Sequence, residues 1–318
     1  MEATAWVVAA EVAGALTDGA PVVALESTLV AHGLPWPENL QTARQAEAGV
    51  RRSGAVPATI AVLGGRIRVG LSEAELEYLA RPGPFLKAGR RDLATAVARG
   101  LDAATTVSAT LWVARRCGLG VMATGGLGGV HRDAATTGDV SADLDELARA
   151  DGLVVVCSGV KTILDVPATL EALEARGVAV VGYRTATLPA FTSSSSGLPL
   201  EVRLESPAEA AALARAHRAL GLPGAIVLAQ PVPEAEALDP AAMEAALAEA
   251  LGDARARGLA GKALTPFLLD RIRQQTGGRS LRANRALIVA NAELAGAVAT
   301  QLAGGRARPE GQVGSVLP

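Results

Sequence analysis

Residues 153–165 read LVVVCSGVKTILD. A leucine, three valines and a cysteine follow one another without a polar residue between them. A strand with one wet face alternates apolar and polar positions, whereas an unbroken β-branched run suits a strand covered on both faces, as in a parallel sheet. Ser158-Gly159 ends the run as a turn would. Lys161 follows at once, and then a second apolar pair, Ile163-Leu164. Burying an ammonium is costly unless it is paired or gives up its proton. Lys161 is therefore either an exposed residue at a strand–helix turn or an amine placed in a dry pocket.

The same kind of run recurs along the chain. PVVAL (21–25), ATIAVL (58–63), LGVMAT (119–124), VAVVGY (178–183) and AIVLAQ (225–230) read as further strands, separated by alanine-rich helical patterns. ATIAVLGGRIRVGL carries Gly64-Gly65 between two strand-like runs and predicts a β-hairpin. SPAE (206–209) is a capping box with proline at the first helical position, and Asp239-Pro240 and Thr265-Pro266 open two more helices in the same way. SLRANRALIVANAELAGAVATQLAGG (280–305) reads as a long final helix, with Ser280 as its N-cap and Asn284 facing out one turn later. The expectation is an α/β fold of three layers, α/β/α, around a central and mostly parallel sheet. It forms a single catalytic domain over 1–304 with a small β-hairpin extension. The serine-rich stretch 192–199 reads as a polar loop, and 305–318 as a disordered tail.

The 318 residues are half hydrophobic, with 30 Lys plus Arg against 32 Asp plus Glu. No basic stripe interleaved with aromatics marks a nucleic-acid polymer as a partner. Cys117 and Cys157 sit in apolar segments without a CxxC or Cys/His cluster, as reduced buried thiols of a cytoplasmic protein do. The first residues lack the basic region of a signal peptide. No uninterrupted apolar run reaches the ~18 residues of a membrane span, so no membrane partner is expected.

In open parallel sheets ligands bind beyond the carboxyl ends of the strands. Glu26 directly follows VVAL, either as a carboxylate capping the next helix or as a general acid/base at a strand end. ATGGLGGVH (123–131) fails as a dinucleotide loop, because His131 stands where the third glycine belongs. It reads as flexible backbone closing on a small ligand. In TGDVSADLDEL (137–147), Ser141 is a natural N-cap, and Asp143 and Asp145 suit the helix dipole. Asp139 lies before the cap and could hold a hydrated magnesium or manganese ion. KAGRRDL (87–93) is solvated surface or a phosphate contact.

Taken together, ALESTLVAHGLPWPEN (24–39), GAVPATIAVLGG (54–65), KAGRRDL, ATGGLGGVHRD, DVSADLDEL, VVVCSGVKTILD, TPFLLDRI and TGGRSLRAN resemble the pseudouridine-5′-phosphate glycosidase family over roughly residues 10–300. The resemblance implies reversible cleavage of the C–C glycosidic bond of pseudouridine 5′-phosphate to uracil and ribose 5-phosphate. A carbon leaving group makes the two-carboxylate route of ordinary glycosidases poor. The family's route opens the ribose ring and adds a lysine to C1′. The uracil carbon is then protonated, and the sugar leaves as an enzyme imine.

By motif position Lys161 is that nucleophile and Glu26 the proton donor/acceptor. Asp139 is the ligand of a divalent metal, manganese above all. Lys87, Val107 and the stretch Ser141, Ala142 and Asp143 match substrate-binding positions. His131 and Asn284 are neighbours of the base or sugar. The partners implied are a nucleotide and a sugar phosphate, and the assembly a homotrimer. A relative that builds C-glycosides in secondary metabolism, joining ribose 5-phosphate to another heterocycle or aromatic acceptor, would keep the same three groups.

Overall fold

The computed structural model describes residues 5–259 and 264–304. The segment 305–318, expected as a tail, lies outside them. Eleven strands among the described residues form one sheet: β1 (Trp6–Val8), β2 (Val22–Leu25), β3 (Val56–Leu63), β4 (Arg66–Val69), β5 (Leu86–Ala88), β6 (Ala103–Thr105), β7 (Val121–Ala123), β8 (Val154–Cys157), β9 (Ala179–Tyr183), β10 (Arg203–Leu204) and β11 (Ile226–Ala229). The main order is β1-β4-β3-β2-β7-β8-β11-β9-β10, with β6 on β3 and β5 on β6. Only the β3–β4 and β3–β6 pairings are antiparallel. The predicted hairpin is β3–β4, and Gly64 and Gly65 both hold positive φ, 55° and 72°, as its two-residue turn requires.

The valine run behaves as its pattern predicts. Val154 and Val156 of β8 pack into one apolar cluster, Val155 and Cys157 into another on the opposite face. Val23 and Leu25 of β2 likewise part from Val22 and Ala24. The first cluster is closed by the helices Glu38–Arg52, Pro207–Ala219, Pro240–Ala256, Leu264–Gln275 and Arg279–Gly304. The second is closed by Ala10–Thr17, Leu93–Ala98, Val107–Arg116, Asp143–Leu147 and Val166–Glu174. The fold is thus the expected α/β/α sandwich on a mostly parallel sheet. Both cysteines are free and buried, and burial pushes their thiols up to about 11 for Cys117 and about 12 for Cys157.

Two predicted helix starts shift. Ser280 is the second residue of Arg279–Gly304, and it is Thr276 whose hydroxyl accepts the Ser280 N–H, at 3.2 Å. Thr265-Pro266 lies in the first turn of a helix described from Leu264. The last helix is also long and apolar enough to cross a membrane by length and composition, although charged and amide residues interrupt its apolar runs. Its most apolar window, of mean hydropathy 1.4, is 56% buried.

Topology places the site. From β2 the chain runs on to its neighbour β3 on one side, and from β7 to its neighbour β8 on the other. Because β2 and β7 are adjacent and parallel, their carboxyl ends flank the crevice where the connections diverge, which is where open α/β sheets bind ligands.

Candidate active site

Leu25 pairs with Ala123 across β2 and β7, so the next residue of each strand meets its counterpart at the crevice. These are Glu26 and Thr124. Glu26 is buried, and its two carboxylate oxygens accept from the hydroxyls of Thr28 and Thr124, one each. It does not cap a helix. Ser27 between them is an anchor: its hydroxyl donates to the Ile60 carbonyl at 2.6 Å and accepts the Thr105 N–H at 2.9 Å.

Residues Leu29–Gly33 then form a single π-helical turn, a local form that recurs at functional sites. The turn carries His32. Burial, and next the nearby positive charge of Lys87, hold His32 below the ordinary histidine range, so the ring is neutral at pH 7.

At the end of β8, Val160 bridges Leu127 and the Lys161 N–H donates to the Leu127 carbonyl at 3.2 Å. The turn needs Gly159. Its φ is 72°, and a Cβ there would meet the Pro189 carbonyl oxygen. The Lys161 side chain is partly buried and lines the cleft, with no ion-pair or hydrogen-bond partner among the described residues.

Asn291 ties this strand end to its neighbours. It sits fully buried in the last helix and donates to the Thr124 carbonyl at 2.9 Å and the Ser158 hydroxyl at 3.1 Å, while Gln230 donates to its oxygen at 3.3 Å. One side chain thereby joins the residues that follow β7, β8 and β11. Asn291→Leu leaves those groups unpaired in the interior. It is expected to lower stability by roughly 1–3 kcal/mol, the cost of an unsatisfied buried polar group. Urea denaturation measures this, and an unchanged midpoint would show that the junction holds without the amide.

The glycine-rich segment is pinned rather than loose. His131 N–H donates to the Asp139 carbonyl at 3.1 Å and Ser141 N–H to the Gly129 carbonyl at 2.9 Å. This pairing sets the two side chains together, with His131 Nδ1 3.9 Å from an Asp139 carboxylate oxygen. A Cβ on Gly128 would meet Ser141 Oγ and Asp143 Oδ2, so this glycine serves close packing and not flexibility. Asp143 does more than match a helix dipole. Its two oxygens accept the N–H groups of Ser108 at 2.9 Å and Gly128 at 3.0 Å, joining two walls of the cleft. Ser141 is not the N-cap, which is Ala142, although its hydroxyl accepts the Asp143 N–H at 3.2 Å.

KAGRRDL divides its residues. Arg90 pairs with the buried Glu146 at 2.7 Å, and Asp92 accepts the Gly89 N–H at 2.9 Å. Lys87 and Arg91 face the cleft. Val107 corrects its assignment: its side chain is buried in the core, and Thr106 and Ser108 on either side line the cleft in its place. What Val107 can offer a ligand is its backbone N–H, in the first turn of the helix Val107–Arg116.

These pieces bound one cleft of about 700 Å³. Glu26, Lys87, His131, Asp139, Ser141, Ala142, Asp143, Lys161 and Asn284 all line it. Every site residue expected from the sequence except the Val107 side chain is therefore brought to one place.

The family model of indigoidine synthase A like protein matches residues 11–301. The chain belongs to the indigoidine synthase A-like family. Relatives named pseudouridine-5′-phosphate glycosidase include one from Methylobacterium nodulans, 55% identical over 94% of this chain and 88% of its own length. Another, from Caldanaerobacter subterraneus, is 52% identical over 92% of this chain and 95% of its own. Among solved structures, the prealnumycin C-glycosynthase AlnA in complex with ribulose 5-phosphate superposes with a TM-score of 0.87. It is 38% identical, covering 95% of this chain and 98% of that one. An indigoidine synthase A-like protein from Thermotoga maritima gives 0.83 at 40% identity, over 90% and 94% of the two chains.

Within this family fold, sequence reasoning did not single out Thr28, Thr124 or Asn291, and it gave His32 no role. The available signal for Asn291 was an amide in the middle of an apolar helix. For His32 it was a position just beyond a buried strand.

Proposed function

We propose that this chain cleaves the C–C glycosidic bond of pseudouridine 5′-phosphate, reversibly, to uracil and ribose 5-phosphate. The observation that carries the reading is the meeting of the Lys161 amine and the Glu26 carboxylate in one cleft. It is supported by relatives of that name at 52–55% identity. Ring opening breaks the C1′–O4′ bond, leaving O4′ as a hydroxyl and C1′ doubly bonded to uracil C5. The Lys161 nitrogen then adds to C1′ as that electron pair returns to the base. Glu26 gives its proton to C5 of the uracil. The nitrogen lone pair then forms the C=N bond as the C1′–C5 bond breaks and its electrons pass to the protonated base. Water hydrolyses the imine, frees ribose 5-phosphate and restores the amine. Lys87, Arg91 and the Val107 N–H provide the positive wall that suits the phosphate.

Incubation with pseudouridine 5′-phosphate should release uracil, and uridine 5′-phosphate should release none. The second reading, a C-glycoside-building enzyme, is favoured by the structural likeness to AlnA. It predicts an imine with ribose 5-phosphate but no uracil from pseudouridine 5′-phosphate.

A divalent cation belongs to this reading, with Asp139 to hold it. The Asp139 carboxylate is partly exposed on the cleft wall, and the described residues offer no group of three or more His, Cys, Asp or Glu side chains for a metal. One hard oxygen with water completing the shell fits manganese or magnesium and not zinc. Bound there, the ion would supply positive charge beside the sugar phosphate. Chelation should abolish uracil release, with manganese restoring it better than zinc, and Asp139→Asn should raise the manganese concentration needed for half-activity. Full activity in a chelated sample would remove Asp139 from this role. A homotrimer, which rests on the family resemblance alone, predicts a particle of about three chain masses in sedimentation. The buried thiols fit a cytoplasmic location.

A further inference from the structure

We propose that Thr28 and Thr124 are positioning residues that hold the Glu26 carboxyl group in both of its protonation states. The proposal rests on the glycosidase reading, in which Glu26 loses and regains a proton in each turnover. Each Glu26 oxygen accepts from one of these hydroxyls, so the carboxyl plane cannot turn without breaking a buried hydrogen bond. Both threonines are buried, Thr124 at 2% exposure and Thr28 at 8% where it meets the cleft.

The choice of a hydroxyl has a chemical reason. A backbone N–H or an ammonium can only donate, and so favours the anion alone. A threonine hydroxyl donates to a carboxylate, and by rotating it accepts from a carboxylic acid. When Glu26 takes up its proton, one threonine can turn to accept while the other goes on donating. Neither state then leaves a buried oxygen unpaired, and the proton passes without a large change in orientation.

Two further observations describe how the pair is held. Thr28 precedes the π-helical turn as its N-cap, yet its side chain makes no capping bond. A threonine there ordinarily satisfies an orphan backbone N–H, and this one turns to Glu26 instead. Thr124 is fixed from the other side, its N–H donating to the Val156 carbonyl at 3.0 Å and its carbonyl accepting from Asn291 at 2.9 Å. The clamp is therefore built from the adjacent ends of β2 and β7 and fastened to β8, the strand that leads to Lys161.

The test uses Thr28→Val, Thr124→Val and the corresponding serine variants of the full chain, assayed on pseudouridine 5′-phosphate and, separately, by borohydride trapping of ribose 5-phosphate on Lys161. Each valine variant should lower kcat roughly 10- to 100-fold, the size expected of one hydrogen bond to a charged group, with KM little changed. The serine variants should restore it, because they return the hydroxyl. The trapped adduct should form at the wild-type yield in all four, since imine formation does not call on Glu26. In a Glu26→Gln background, Thr124→Val should cost little more, because the two changes act through one group. Valine variants that keep kcat, valine variants that lose the adduct as well, or additive losses in the double variant would each overturn the clamp while leaving the glycosidase reading intact. A wild type that releases no uracil would overturn that reading and the clamp with it.

Discussion

Lys161→Ala is expected to abolish uracil release, and Lys161→Arg is expected to be equally inactive. The two variants fail for different reasons, and the pair is therefore informative. Alanine removes the nitrogen. Arginine keeps a positive charge at the same place but holds its proton, and a guanidinium cannot add to C1′. If Lys161 only attracted the substrate phosphate, arginine would preserve much of the activity and the loss in alanine would appear chiefly as a raised KM. The same cleft carries two other cationic side chains, Lys87 and Arg91. The structure leaves Lys161 without an ion-pair partner among the described residues. Steady-state kinetics of the two variants, each shown to be folded by its denaturation midpoint, separates the outcomes. An active arginine variant would end the nucleophile assignment.

Glu26→Gln carries the second large effect. An amide is nearly the same size as the acid, and its oxygen can still accept from one threonine hydroxyl, so the cleft should keep its shape. What is lost is the proton passed to uracil C5. General acid–base catalysis of this kind contributes roughly 10²–10⁴, and kcat should fall by that factor while KM changes far less. A kcat left intact beside a much raised KM would make Glu26 a binding residue.

Much of the frame was legible because the inner strands are apolar on both faces. Val154–Cys157, Val22–Leu25 and Ile226–Ala229 show no alternation, and each is buried throughout. The outer strands were not legible. β5 reads Leu-Lys-Ala and β6 Ala-Ala-Thr, too short and too weakly patterned to show a period. They exist as strands because β3 and its neighbours offer them hydrogen bonds. The π-helical turn at Leu29–Gly33 has no sequence signature either; it begins two residues after Ser27, which contacts distant in sequence fasten to Ile60 and Thr105.

At the site, residue types were readable where directions were not. Lys161, Glu26 and Asp139 could be placed at strand ends or loops by pattern, and the motifs implied their roles. That the Val107 side chain turns into the core follows from helix phase at an end whose start is set by tertiary contacts. That Asp143 bridges Ser108 and Gly128 follows from segments distant in sequence. The Thr124–Glu26 contact depends on the β2–β7 register, and neither strand announces its partner.

The central claim is an imine between Lys161 and the sugar, and trapping tests it directly. Enzyme incubated with ribose 5-phosphate and then reduced with borohydride should gain the mass of one ribose 5-phosphate less one oxygen, and peptide mapping should place it on Lys161. Lys161→Ala should trap none. An adduct on Lys87, or no adduct on enzyme that is releasing uracil, would contradict the account.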